Sequence, residues 1–183
     1  MSPDPRTDRT REVVLKATAE LLLEEGCERF TIDSVADRSG VARSTIYRNW
    51  GDRSALIIQA IDCVTEMPEP PDTGTLVDDL TIMAERLAHN LGEGVLGRLL
   101  PSMVGAASCD AELAARLQGL SESRMAMTRV VFERAIVRGE IGNDDLDGRI
   151  ERFISPFFVR HLLHRYPLDE EFRRRQVEAA LSE

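Results

Sequence analysis

Between Arg38 and Arg53 the chain gathers the side chains best suited to a chemical task. Arg38, Arg43, Arg48 and Arg53 carry guanidinium groups, and Ser44, Thr45, Tyr47 and Asn49 supply hydroxyls and an amide among them. Such groups hydrogen-bond to phosphate oxygens and to base edges, an arginine reaching guanine O6 and N7 through two parallel bonds. Catalytic alternatives have weaker support. Ser102 lacks a G-x-S-x-G or other nucleophile signature. His161 and His164 have no cysteine or acidic ligand pattern beside them and read as core or interface histidines. The run Gly92-Glu93-Gly94-Val95-Leu96-Gly97 fits G-x-G-x-x-G, but a helix precedes it where a dinucleotide site needs a strand, so it reads as an inter-helix connection. Paired Glu-x-x-His motifs, which would gather metal ligands in a bundle, do not occur. No cofactor, metal or enzymatic activity is expected.

The elements that must position these residues are all helical. Residues 12–25 place Val14, Ala17, Leu21 and Leu22 at helical spacing, with Gly26 as a stop. Thr31 is an N-cap candidate for a short segment that starts at Ile32 and ends at Gly40. Residues 44–50 form a second short segment, and 53–66 a longer one. The two short segments, split by Gly40-Val41-Ala42-Arg43, have the spacing of a helix-turn-helix. Its first helix braces the unit, and its second is short and sends a polar side into the major groove. Val35, Ala36, Val41 and Ile46 are the apolar pegs, which leaves Arg43, Ser44, Thr45, Tyr47, Arg48 and Asn49 outward. The Pro-rich stretch 68–74 marks a boundary. Beyond it, Leu76, Leu80, Met83, Leu87 and Leu91 define an amphipathic helix. Further helices are expected over 95–107, with a kink at Pro101, over 110–138, over 145–164 despite Pro156, and over 169–181. No segment alternates as a strand and no repeat appears. The expected fold is all-α, with an N-terminal three-helix DNA-binding domain and a connecting fourth helix over 1–67, and a second helical domain over 68–183.

Residues 30–56, FTIDSVADRSGVARSTIYRNWGDRSAL, resemble the DNA-binding motif of the TetR family of bacterial transcriptional regulators. The register is carried by Thr31, the Val35-Ala36 pair, Gly40-Val41, Thr45-Ile46-Tyr47, Trp50 for the family's aromatic and Arg53 for its usual lysine. Ser39, Asn49 and Asp52 depart from the alanine, histidine and small residue common there. The resemblance implies phosphate contacts from Thr31, Thr45, Tyr47 and Arg53, base-edge readout by Arg43, Ser44 and Arg48, and either role for Asn49. It implies a homodimer on a palindromic double-stranded DNA operator, more often a repressor than an activator, released by a small-molecule effector. In the family the last two helices pair with a partner's. Here Phe153, Phe157, Phe158, His161 and Phe172 are the expected seam. Met83, Leu87, Met103, Met125 and Phe132 are the expected ligand pocket of the second domain, methionine being adaptable in shape. The competing classes are an enzyme and a protein-interaction adaptor without DNA binding.

Whole-chain charge argues the other way: 23 Lys and Arg against 32 Asp and Glu give −9, whereas nucleic-acid-binding domains are usually basic. The acid is unevenly placed, because residues 38–53 hold four arginines against Asp52 alone. The local field is what counts, since salt screens charges beyond about 10 Å. Arg6, Arg9 and Arg11 either add phosphate or minor-groove contacts or belong to a solvated tail. Cys27, Cys63 and Cys109 are isolated and odd in number, which suits a reducing cytosol. No apolar run approaches the roughly 18 residues of a membrane helix, and Met1–Thr10 lacks a signal core. A cytoplasmic protein with no membrane partner is expected.

Overall fold

The structure, a computed structural model, describes residues 5–65 and 68–182, with side chains from Asp8 onward. Its helices are α1 (Pro5–Arg29), α2 (Ile32–Ser39), α3 (Arg43–Trp50), α4 (Arg53–Val64), α5 (Leu76–Gly92), α6 (Val95–Ala107), α7 (Ala111–Arg138), α8 (Leu146–Val159) and α9 (Glu170–Leu181). No strand occurs among the described residues. Five helix starts are set by a side chain one residue ahead, that of α7 by Asp110 Oδ1, which accepts from Leu113 N at 3.0 Å. Thr31 Oγ1 accepts from Ser34 N at 3.1 Å, Asp52 Oδ1 from Ala55 N at 2.7 Å, Thr75 Oγ1 from Asp78 N at 3.2 Å and Asp169 Oδ1 from Phe172 N at 2.9 Å. Each bond satisfies an N–H that a helix leaves open in its first turn, and such a cap is worth about 1 kcal/mol.

The first helix differs most from expectation. α1 begins at Pro5, a residue favoured in a first helical turn, so Arg9 and Arg11 belong to a helix and not to a tail. Arg11 Nη2 donates to Gln59 Oε1 at 2.8 Å, and the Arg6 side chain lies outside the described residues. Gly26, with φ 76° and ψ 170°, is non-helical and stops the first helical segment of α1, as its residue type predicts, and a second segment follows across the kink. Glycine takes that backbone at no steric cost, and one more turn carries Cys27 to Arg29. Pro156 is accommodated inside α8, and the chain just beyond it widens into a π-helical turn over Arg160–His164.

The helices sort into two compact units. One holds α1–α4 with Arg98–Leu120, and the other holds α5 with the rest of α7, α8 and α9. The single boundary expected after residue 67 is thus crossed, because the α6–α7 corner joins the first unit. Polar bonds fasten it there: Cys27 N donates to Ser102 Oγ at 3.4 Å, and Arg116 Nη2 donates to Asp52 Oδ2 at 2.7 Å. Leu99, Met103 and Leu113 add buried apolar side chains to it.

An aromatic ladder runs through the second unit. Phe132 meets Phe153, Phe153 meets Phe157 one turn on, and Phe157 meets Phe172 of α9, with ring centroids 6.5, 6.0 and 5.0 Å apart and all edge-on. All four rings are buried within the one chain. Phe153, Phe157 and Phe172 are therefore not an interface seam: the apolar stripe of α8 packs on α9 of its own chain. Phe158 and His161 are half-buried, and His161 Nε2 lies 3.1 Å from the Gly97 carbonyl. The exposed apolar side chains nearby are Val159, Leu163 and Tyr166. Of the expected pocket, Met83, Leu87, Met125 and Phe132 lie in the second unit, and Met103 is buried in the first. Truncating the ladder by Phe157→Ala is expected to cost about 3–5 kcal/mol of folding stability. Urea unfolding followed by circular dichroism measures this; an effect on association alone, with unfolding unchanged, contradicts the internal packing.

Candidate nucleic-acid interface

α2 and α3 span eight residues each, too few to be stable in isolation. α3 is held by Ile46, fully buried, and Trp50, 6% exposed, which stand one turn apart on one face. Burying that face turns the other outward. Arg43 with Tyr47, and Ser44 with Arg48, form two exposed one-turn pairs, and Asn49 is exposed beside them. Thr45 is half-buried. Thr31 is exposed at the start of α2, where its hydroxyl also lies 2.8 Å from Ser34 Oγ. Gly40 and Gly51, with φ of 69° and 81°, end α2 and α3, their N–H groups bonding back to Ala36 and Tyr47 carbonyls at 2.9 and 2.8 Å. A side chain at either position is strained by the left-handed backbone.

The electrostatics differ from the local count of four arginines. Arg38 is forked onto Glu24, with Nη1–Oε1 and Nη2–Oε2 distances of 2.9 and 2.7 Å. That hydrogen-bonded guanidinium holds the Glu24 carboxyl below its ordinary range. Arg43 Nε lies 2.5 Å from Asp33 Oδ1. Arg53 donates from Nε to the Phe30 carbonyl at 3.0 Å and from Nη2 to the Cys27 carbonyl, while Nη1 lies 3.7 Å from Asp110 Oδ2. Arg53 therefore leaves the set of outward donors: it ties the start of α4 to the turn of α1 beyond the Gly26 kink. The Cys27 thiol beside it is pushed up by burial. Asp52, one of the three departures from the resembled motif, both caps α4 and pairs with Arg116, which also meets Glu112 at 2.9 Å. Sequence reasoning missed Asp33, Asp110 and Arg116 as partners of this region. Asp33 had a local signal, its place in the first turn of the bracing helix; Asp110 and Arg116 are brought in by tertiary packing alone.

An exposed polar face on a short helix, set by a buried one behind it and joined to a capped bracing helix, is the geometry of a helix-turn-helix. Residues 14–60 match the family model of bacterial regulatory proteins of the tetR family, and residues 70–180 match that of the tetracyclin repressor-like C-terminal domain. The chain belongs to the TetR family. Among similar proteins, the uncharacterized HTH-type transcriptional regulator YdeS of Bacillus subtilis is 31% identical over 162 residues, covering 87% of this chain and 81% of that protein. The DNA-binding transcriptional repressor TetR of Mycobacteroides abscessus is 30% identical over 177 residues, covering 94% and 92%. The crystal structure of the TetR family transcription regulator SCO0332 superposes with a TM-score of 0.76 at 31% identity, over 94% of this chain and 96% of that one. As a TetR-family member the protein is a DNA-binding transcriptional regulator, not an enzyme. No helix among its described residues is long and apolar enough to cross a membrane.

The two arginines at the ends of this region are expected to behave differently. Arg53→Met removes hydrogen bonds to two carbonyls and lowers folding stability by about 1–2 kcal/mol, below the full worth of charged bonds because the group is partly exposed. Arg48→Met, with no recorded partner to lose, leaves stability within about 0.5 kcal/mol. Thermal unfolding of both variants checks this, and equal stability of the two contradicts the internal role of Arg53.

Proposed function

We propose that the protein is a cytoplasmic repressor that binds a palindromic operator as a homodimer and is released by a small molecule. The outward face of α3 carries the reading, because burial of Ile46 and Trp50 fixes which positions face outward but nothing in the fold requires them to hold Arg43, Ser44, Tyr47, Arg48 and Asn49, all hydrogen-bonding side chains. Arg43, Ser44 and Arg48 read base edges, and Thr31, Thr45 and Tyr47 hold phosphates, with Asn49 serving either. One helix of this length spans only a few base pairs. Two of them about a two-fold axis read half-sites about 34 Å apart. The exposed Val159, Leu163 and Tyr166, with half-buried Phe158, replace the buried phenylalanines as the proposed dimer seam.

The effector pocket is proposed around Met83, Leu87, Met125 and Phe132. Its effect reaches the reading head along α7, whose first turns pair with Asp52 and whose preceding Asp110 faces Arg53. The effector acts only through its different affinity for the DNA-bound and free conformations. The competing adaptor reading is separated by salt. A DNA binder loses affinity steeply as salt rises, by a log–log slope of about 0.9 for each phosphate neutralised.

The test is selection of bound duplexes from random DNA, followed by fluorescence anisotropy over a salt series. Tyr47→Phe is expected to weaken every duplex alike, and Arg48→Ala to relax preference at one base pair by about 1–3 kcal/mol. Binding that stays weak and indifferent to salt for every duplex, including the protein's own promoter region, overturns the DNA-binding part. Leu163→Glu is expected to give monomers in sedimentation velocity, and a monomeric wild type at micromolar concentration overturns the dimer.

A further inference from the structure

Asp33 occupies the first turn of α2 and Arg43 opens α3. Their Oδ1 and Nε atoms are 2.5 Å apart, with the side chains 54% and 60% exposed. An ion pair this exposed contributes little to folding, and the two helices are already fixed by buried Ile32, Val35, Ile46 and Trp50. Its geometry has another effect. The carboxylate takes the inner nitrogen of the guanidinium, and no partner is recorded for Nη1 or Nη2 among the described residues. An unrestrained arginine must freeze several rotamers before it can make a two-bond contact. One whose Nε already lies against a carboxylate has fewer of those rotamers left to freeze and keeps its terminal fork open. The same carboxylate repels phosphates, so it weakens contact with any duplex that offers Arg43 nothing in return. Restraint of the reader and repulsion of the wrong partner together raise discrimination instead of affinity.

We propose that Asp33 is a specificity-determining residue, which aims Arg43 so that Nη1 and Nη2 bond O6 and N7 of one guanine in the major groove. The inference rests on the reading of α3 as the base-contacting helix. It makes Asp33 a positioning residue, acting through Arg43 and touching no base itself.

The test uses the full chain and the duplex it selects from random DNA, with each G·C pair of that duplex replaced in turn. Affinities of the wild type, Arg43→Ala, Asp33→Ala and the double variant are measured by anisotropy at one salt concentration. Arg43→Ala is expected to abolish preference at one guanine, a loss of about 5- to 150-fold in discrimination. Asp33→Ala is expected to lower discrimination at that same guanine about fivefold or more, while affinity for an unrelated duplex holds or rises, which also verifies that the variant folds. The double variant is expected to match Arg43→Ala there. If Asp33→Ala tightens all duplexes by one factor and keeps the guanine preference, Asp33 only offsets charge and the inference fails. It fails as well if the two single losses multiply in the double variant. If Arg43→Ala alters preference at no position, the base-contact reading of Arg43 itself has failed.

Discussion

An eight-residue helix makes too few hydrogen bonds to hold itself in water, so α3 persists because Ile46 and Trp50 are buried together behind it. Everything proposed for the outer face depends on that constraint. With Ile46 and Trp50 inward, helical geometry leaves no choice about where Arg43, Tyr47 and Arg48 stand. The ends are fixed as firmly. Thr31 caps α2, Gly40 and Gly51 turn the chain with left-handed backbone, and Asp52 starts α4 immediately afterwards. The reading head is thus a short exposed surface whose direction is set by what lies beneath it.

Charge is handled with similar economy. The chain is acidic overall, yet its acids are also the means by which its arginines are placed. Glu24 anchors Arg38 to α1, Asp33 meets Arg43, and Asp110 faces Arg53. Because the folded Glu24 carboxyl lies below its ordinary range, its pairing is intact above that range and is lost as pH falls through the lowered value. Among the described residues Arg48 has no partner of this kind, so of these four arginines it is the one not offset by a nearby acid there.

Much of this was legible in the sequence. The cap at Thr31, the stops at Gly26 and Gly40 and the inward place of Ile46 all follow from local residue types, and the helix count follows from periodicity. What was not legible has one common cause: periodicity says which residues share a face, not what that face packs on. The stripe Phe153 and Phe157 was readable as apolar but not as internal, since Phe172 and Phe132 reach it only through the fold. The four arginines of 38–53 were countable, whereas the acids that engage three of them come from α1, α2 and the residue ahead of α7. The α6–α7 corner carries no signal that it belongs with the reading head, because Ser102 and Arg116 find Cys27 and Asp52 across long stretches of sequence. Pro5–Arg11 lacks the apolar rhythm that announces a helix, and so α1 reads as shorter than it is.

Trp50 is the only tryptophan in the chain, and its indole nitrogen is buried, with no hydrogen-bond partner among the described residues. The protein's native tryptophan emission therefore comes from one spot, the buried back of α3. A helix that stays seated keeps that emission blue, and one that lifts and admits water sends it red. Events confined to the second unit leave the signal untouched unless they reach the head. The molecule thus carries, without any label, an optical gauge of whether its reading helix is in place.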